Sequence, residues 1–240
     1  MQKKKGKKEI QEYDNRVGNS FGFIDFSHKK RNFALMISIS KEQVSSLPVM
    51  EYDGRTIVIN YPKDADKAIK YLLSQPIVGF DTETRPSFKK GHTHKVCLMQ
   101  IATHTECFLF RLNKTGFTDS IREFLECENV TKVGLSLNDD LRALHKLDNF
   151  NPGAFIDLQS FVKKYDISDN SLQKIYAILF DKRISKGQRL TNWEADTLTP
   201  PQQAYASLDA KACLDIYDLL TTVGFDSESS PYVVKEEQED

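Results

Sequence analysis

The feature that most constrains the fold is the stretch Ile77–Thr84, which reads Ile-Val-Gly-Phe-Asp-Thr-Glu-Thr. Its first four residues are mostly apolar and follow Pro76, which is typical of the start of a buried β-strand. Strand side chains alternate between two faces, so Asp81 and Glu83 point to the same side. Adjacent carboxylates are costly unless a positive charge lies between them, and a divalent cation is the usual solution. A solvated strand end explains most such pairs, so the metal-site hypothesis depends on further acids downstream.

The segments that follow alternate between strand-like and helix-like patterns. A short β-branched strand is predicted at 56–60, and the predicted sheet strands follow at 77–83, 96–102, 107–111, 130–135 and 154–158. Helices are predicted at 63–74, 117–127, 138–147, 159–165, 171–179 and 200–223. The strands at 96–102 and 107–111 form a hairpin that joins the first strand. Together these patterns predict the α/β class, with a mixed five-stranded sheet and helices on both faces.

The length of 240 residues suffices for one domain with terminal extensions. We expect residues 1–35 to be a disordered basic extension, 36–224 the folded domain and 225–240 an acidic disordered tail. Two alternatives for the first segment are a nucleic-acid-binding arm and an upstream translation that precedes a biological start at Met36.

Charge and cysteine content narrow the class of protein. A net charge of −1 excludes a chain-wide polycation, so any nucleic-acid binding must use a local basic surface. The four cysteines are scattered without a C-x-x-C pair, which indicates reduced thiols and a cytoplasmic protein. Neither a signal peptide nor a run long enough to cross a membrane is visible, so no membrane partner is expected.

Two more acidic sites follow the first. Asp139 and Asp140 come just after the strand 130–135, near the start of a helix for which Asn138 is a plausible N-cap. An aspartate there also offsets the helix dipole, so a structural role is an equal alternative. Tyr205 and Asp209 lie four residues apart and share one helical face. Because Asp209 lies mid-helix among small apolar residues, solvation explains it poorly, and a metal would supply the partner it needs.

This combination resembles the DEDD superfamily of 3′–5′ exonucleases, in its tyrosine-containing branch with ribonuclease D and the Werner-syndrome-type exonuclease domain. The resemblance covers residues 76–222 and rests on three ordered motifs and a lead-in to the third. The motifs are Gly79-Phe80-Asp81-Thr82-Glu83, Lys132-Val133-Gly134 with Asp140 six residues after the glycine, and Tyr205-Ala206-x-x-Asp209-Ala210, preceded by Ser185-Lys186, Asn192-Trp193-Glu194 and Leu198-Thr199-Pro200. The adjacent Asp139 and Asp140 depart from the family pattern, which has one aspartate there. Spacing favours Asp140 as the ligand.

The resemblance implies a ribonuclease H-like fold and a metal-dependent exonuclease that removes nucleotides from a single-stranded 3′ end. It implies two divalent cations, Mg²⁺ or Mn²⁺, held by the carboxylates of Asp81, Glu83, Asp140 and Asp209. Asp81 would bridge the two ions, and Asp140 would act mainly at the second ion through water. Tyr205 would orient the attacking water.

A polyanionic substrate needs positive side chains around the cleft. Two basic clusters are candidates, the first at Arg85, Lys89, Lys90 and Lys95 and the second at Lys182, Arg183, Lys186 and Arg189. Each residue taken alone is more simply explained as a solvated charge. Phe88 could stack on a terminal base or anchor its own loop. Trp193 is better explained as a packing anchor, and Gln100 either touches the site or bonds the backbone.

Two alternative functions remain open from the sequence. A haloacid-dehalogenase-type phosphatase also carries a strand-end acidic motif, but its second acid is not Glu and it leaves Tyr205 and Asp209 unexplained. A catalytically silent nucleic-acid-binding module of the same fold would not require intact acids. No motif separates DNA from RNA as substrate, because that choice depends on a contact to the 2′-hydroxyl.

Overall fold

The computed structural model describes residues 35–89, 91 and 93–234. Its strands are β1 (Arg55–Ile59), β2 (Ile77–Thr84), β3 (Val96–Ala102), β4 (Glu106–Phe110), β5 (Thr131–Gly134) and β6 (Phe155–Asp157). Its α-helices are α1 (Lys41–Ser46), α2 (Pro62–Leu72), α3 (Leu112–Thr115), α4 (Asp119–Glu126), α5 (Leu137–Leu144), α6 (Leu158–Phe161), α7 (Leu172–Phe180) and α8 (Pro200–Asp218). The predictions for residues 1–34 and 235–240, and for Lys90, lie outside the described residues.

The sheet is mixed, with the strand order β1-β4-β3-β2-β5-β6. Antiparallel pairing joins β2 to β3 and β3 to β4, while β2–β5, β5–β6 and β1–β4 are parallel. The predicted α/β class and mixed sheet are confirmed, but the described sheet has six strands instead of five. The additional strand, β1, pairs with β4 from Arg55–Glu106 to Ile59–Phe110. Because that partner lies far along the chain, the local pattern at 56–60 did not reveal the pairing.

Apolar side chains cover both faces of the sheet. On one face, Phe80 and Met99 pack with Leu72 of α2 and Phe124 of α4, and all four side chains are fully buried. The opposite face packs against α7 and α8. The central strands therefore supply residues alternately to two cores, as expected for a sheet covered on both sides.

Gly79 lets α8 approach β2 closely. A Cβ atom at this position would lie 1.9 Å from the carbonyl oxygen of Ala210. Any side chain at residue 79 would therefore push the helix away from the strand. Since Asp209 precedes Ala210 and Asp81 shares the strand face of Gly79, the same contact brings these two carboxylates together.

The start of α8 agrees with its prediction and the start of α5 does not. Thr199 and Gln202 form a capping box with Pro200 in the first turn. In α5 the N-cap is Ser136, in the left-handed conformation at φ 62°, so the prediction of Asn138 as the cap is wrong. The Asp157 carboxylate instead accepts hydrogen bonds from the backbone N–H groups of Ser136 (3.1 Å) and Leu137 (3.0 Å). A side chain from the neighbouring strand therefore satisfies this helix start.

Residues 225–234 belong to the packed domain, which corrects the predicted start of the disordered tail at 225. Ser227–Ser229 forms a 3₁₀ turn in which Ser227 is buried. Val233 forms an antiparallel bridge with Ile37, and the Ser38 N–H donates to the Tyr232 carbonyl at 3.0 Å. The two ends of the described chain therefore pair with each other, which neither end reveals alone.

All four cysteines are free thiols, as predicted. Within the described ranges, none of the helices combines the length and the apolar character needed to cross a bilayer.

Candidate active site

Three of the predicted carboxylates meet at the end of β2. One oxygen each from Asp81, Glu83 and Asp209 lies within 4.8 Å of the other two. The first two side chains come from alternate positions of β2, and the third comes from the middle of α8. Asp209 is only 7% exposed, so bulk water contributes little to stabilising its ionised carboxylate. The strand and the helix therefore form one acidic cluster.

Burial and mutual repulsion make ionisation of this cluster unfavourable. Burial raises the pKa of Asp81 well above its ordinary value, and the neighbouring carboxylates raise it further. The same two causes, in that order, raise the pKa of Glu83 to about 8. Burial raises the pKa of Asp209 to about 7 against the lowering effect of a hydrogen bond from Tyr205. Full ionisation at neutral pH therefore requires added positive charge.

Asp140 and Asp139 have opposite environments although they are adjacent. The Asp140 carboxylate accepts a hydrogen bond from the Thr82 hydroxyl at 2.5 Å, and its charge contributes to the raised pKa of Asp81. Burial raises the pKa of Asp140 itself to about 6. Asp139 is 78% exposed and pairs with Arg142 at 2.6 Å. Asp140 thus lies beside the acidic cluster, while Asp139 is part of the solvated helix surface.

Tyr205 lies one helical turn before Asp209, against the fully buried Trp193. The two aromatic rings are 6.0 Å apart between centroids. Burial, followed by the charge of Asp209, raises the pKa of the Tyr205 hydroxyl above its ordinary value. This hydroxyl therefore stays protonated at neutral pH and can donate a hydrogen bond. Trp193 packs among the apolar residues below α8, which confirms the prediction that it is a packing anchor.

The residues present fit a hard divalent cation. All donors in the cluster are carboxylate oxygens, which Mg²⁺ and Mn²⁺ prefer. Gln100, directly opposite Asp81 in the β2–β3 pair, is fully buried. Among the described residues its side-chain amide has no hydrogen-bond partner. An unpaired buried amide beside crowded acids is expected where a polar occupant completes the site.

The basic side chains predicted to bind the substrate are arranged unevenly around the cluster. Arg189 is close enough to Glu83 to lower the pKa of that carboxyl against its overall upward shift. Arg85 pairs with Glu194 at 3.1 Å, and His94 Nδ1 lies 3.5 Å from the same carboxylate. Arg85 therefore ties its loop to the segment before α8. The exposed Lys186 lines a separate cavity between α1 and α7 and not the acidic cluster.

Phe88 is 86% exposed at the rim of a cavity of about 770 Å³. Leu190, which is 66% exposed, lines the same cavity together with Arg85 and His94. Phe88 therefore does not bury itself to anchor its own loop. Two exposed apolar side chains beside a row of polar groups instead present a surface on which a flat aromatic ring could stack.

Three residues that shape the site are not among the predicted site residues. Thr82 lies between two acids in its motif, and period-two alternation turns its side chain away from them and towards Asp140. Asp157 ends a strand and precedes a helix, which is a recognisable capping pattern. Glu194 lies in the lead-in to the third motif, and nothing local to it indicates its ion pair with Arg85.

The family model for 3′–5′ exonucleases matches residues 56–232, which is more than half of the chain. Mouse bifunctional 3′–5′ exonuclease/ATP-dependent helicase WRN is 29% identical over 196 residues, which span 75% of this chain and 14% of that protein. The chain thus matches only a small part of this larger relative.

Solved structures show the same fold. The Aedes aegypti Nibbler EXO domain superposes with a TM-score of 0.64 at 19% identity, covering 75% of this chain and 96% of that one. Trypanosoma brucei RNase D in complex with RNA U12 superposes with a TM-score of 0.62 at 15% identity, covering 75% and 65%.

The fold and the acidic cluster define a nuclease of the DEDD type. The chain belongs to the 3′–5′ exonuclease family, as its motifs predicted. Family membership implies dependence on a divalent metal. It also excludes the haloacid-dehalogenase-type phosphatase, which the sequence had left open.

Proposed function

We propose that this protein is a 3′–5′ exonuclease that removes nucleotides from the single-stranded 3′ end of a nucleic acid by two-metal phosphodiester hydrolysis. The observation that carries the proposal is the convergence of Asp81, Glu83 and Asp209 from β2 and α8. One buried and two partly buried acids with raised pKa values are a destabilising arrangement, and cation binding gives a reason for it.

The proposed ligands are Asp81, Glu83 and Asp209, with Asp140 serving a second ion, and the ions are Mg²⁺ or Mn²⁺. When bound, such ions neutralise charge on the scissile phosphate and favour ionisation of the attacking water. The protein contributes ligand orientation. Thr82 fixes one oxygen of Asp140, and the hydrogen bonds from Ser136 and Leu137 to Asp157 fix the start of the helix that carries Asp140.

Tyr205 acts in this proposal as a hydrogen-bond donor. Without metal, burial and the charge of Asp209 keep the pKa of its hydroxyl above the ordinary value, so we assign it hydrogen-bond donation and not simple base catalysis. A protonated hydroxyl beside Asp209 can hold the attacking water or a phosphate oxygen in place. This role requires the side chain to remain rigid, and contact with buried Trp193 provides that support.

The substrate would be held by cations and by stacking. Arg189, next to Glu83, is the cation best placed for the terminal phosphates, and Lys186 lies three residues before it. Phe88 and Leu190 would receive the terminal bases at the cavity they share. Arg85 contributes mainly by positioning this loop, because Glu194 already neutralises its charge.

We also propose the class of nucleic acid to test first and the location of the protein in the cell. The T. brucei RNase D structure contains RNA, which makes RNA a reasonable first substrate to test, and DNA stands beside it. We propose the cytoplasm as the location, because the four cysteines are free and scattered.

The test is incubation of 5′-labelled single-stranded RNA and DNA of matched sequence with Mg²⁺ or Mn²⁺. Stepwise shortening from the 3′ end, lost on chelation and in Asp140→Asn, is the expected result. Asp139→Asn is the matched control, since it removes an adjacent carboxylate that faces solvent, and it should retain activity. Tight binding of the strand without shortening would support the catalytically silent module instead.

A further inference from the structure

A second cavity, of about 520 Å³, lies between α1 and α7 and carries mainly basic and hydroxyl side chains. Lys41 and Ser45 line it from α1, Ser171 and Lys174 from the start of α7, and Arg183 and Lys186 from the segment after α7. Ammonium, guanidinium and hydroxyl groups around one cavity are the donors that bind phosphate oxygens. None of these residues belongs to the acidic cluster.

Much of the positive charge in this cavity is not neutralised. Lys174 pairs with Asp169 at 2.7 Å, and the Arg183 Nε–H donates to the Leu47 carbonyl at 3.1 Å. Within the described part of the chain, neither Lys41 nor Lys186 forms an ion pair, and both are exposed. Glu42 is the acidic neighbour on α1, close to Lys41 and Lys174. The remaining excess of positive charge favours an anionic ligand.

Hydrogen bonds connect this cavity with the end of the sheet where the acids meet. Asp157 at the end of β6 holds the start of α5, the helix of Asp140. Its neighbour Gln159 donates through its amide to the Asn170 carbonyl at 3.0 Å, immediately before the α7 cap Ser171. The side chains of Asp157 and Gln159, two residues apart, therefore link the start of α5 to the residue that precedes the Ser171 cap at the cavity wall.

One short segment also borders both regions. Its first half carries Lys186 on the cavity, and three residues later Arg189 lies near Glu83. Gln173 of α7 hydrogen-bonds the Ile184 carbonyl, which attaches the segment to the cavity wall. This segment therefore carries one cation near the acids and one on the cavity.

We propose that the cavity between α1 and α7 binds backbone phosphates of the substrate strand upstream of its terminal nucleotides. This inference rests on the exonuclease function proposed above. It adds that the affinity for the substrate depends on the length of the strand. The cavity holds a part of the strand that is not being cleaved, so longer strands bind more tightly than short ones and stay bound between cleavage steps. Lys41 and Lys186 supply the free charges of this site.

The test uses the full chain carrying Lys41→Gln and Lys186→Gln. Binding of a labelled dinucleotide and of a labelled 16-nucleotide single strand is measured by fluorescence anisotropy at several salt concentrations. Asp209→Asn is present in every protein so that no cleavage occurs. The control is Lys63→Gln with Lys70→Gln, two exposed lysines of α2, the helix packed against the opposite face of the sheet.

The double variant should bind the long strand on the order of tenfold more weakly, and the dinucleotide unchanged. Each single-strand phosphate contact contributes about 0.7 to the slope of log K against log salt, so two lost contacts reduce it by about 1.4. An unchanged long-strand affinity, or an equal loss for both ligands, overturns the proposal. The two proposals can fail separately. If the wild-type protein never shortens an oligonucleotide but binds long strands more tightly than short ones through these lysines, the exonuclease function is rejected and the phosphate-binding cavity is supported.

Discussion

The two faces of the central sheet differ in the side chains that the same strands place on them. On the face covered by α2 and α4, Phe80 packs with Phe124 in a fully buried apolar core. On the face under α8, Asp81 follows Phe80 by one position and meets Asp209. The first face stabilises the fold, while the second gathers like charges that oppose it. Because strand side chains alternate, one strand serves both purposes, and substitutions should separate stability from activity.

The largest expected effect is at the acidic face. Asp209→Asn removes a proposed ligand from the cluster, so activity should fall by more than the roughly 100-fold typical of losing a supporting partner. Its metal-free thermal stability at pH 8 should rise, because one repelling charge is gone. Oligonucleotide degradation and thermal unfolding measure the two effects. Asp215→Asn, in the same helix but paired with Lys211, is the control, and equal losses in both variants would contradict the assignment.

The opposite face should respond in the reverse way. Phe124→Ala removes a fully buried ring, which should lower the free energy of unfolding by about 3–5 kcal/mol. Activity per folded molecule should stay within about twofold, since the ring is on the side of the sheet away from the acids. Urea unfolding and degradation rates at low temperature provide the measurements. A large fall in the rate of fully folded protein would show that the faces are not independent.

The pH dependence of stability should also distinguish the faces. The raised pKa values, about 6 for Asp140, 7 for Asp209 and 8 for Glu83, mean that the folded state holds protons more tightly than the unfolded state. Their stabilising contribution is therefore complete below about pH 4 and is lost as pH rises through 6 to 8.

Without metal, the melting temperature should accordingly fall between pH 5 and pH 8 by several degrees, at about 2–4 °C per kcal/mol. Mg²⁺ or Mn²⁺ should restore it at pH 8 and have less effect at pH 5. Calorimetry with chelator and with metal measures both. Phe124→Ala should keep this pH dependence and Asp209→Asn should weaken it; a metal-free protein more stable at pH 8 than at pH 5 would refute the proposed charge repulsion.

The smallest expected effect is at the residue that supports Asp140. Thr82→Val keeps the shape of the side chain and removes the hydroxyl that donates to this carboxylate. Activity should fall about 10–100-fold, as for other partners that orient metal ligands. The free energy of unfolding should change by only about 1–3 kcal/mol. Thr82→Ser retains the hydroxyl and should recover most of the rate; no recovery would assign the loss to packing.

Part of this protein could be predicted from its sequence because the information is local. The alternation at Ile77–Thr84 located a strand that ends in two carboxylates, and helical spacing put Tyr205 on the same face as Asp209. Ordered motifs then indicated the family and, through it, Asp140. The start of α8 followed from Thr199 and Pro200, because capping depends on residues within one turn.

What the sequence by itself determined is therefore the order of the elements, the α/β class and the candidate acids. Tertiary structure alone decided that β1 joins the sheet beside β4, that Asp157 and not Asn138 secures the start of α5, and that residues 232–234 pair with residues 36–38. It also decided that Glu194 neutralises Arg85. The physical reason is the same in each case, because these contacts join residues far apart in sequence, and local propensity carries no information about which distant group will be the partner.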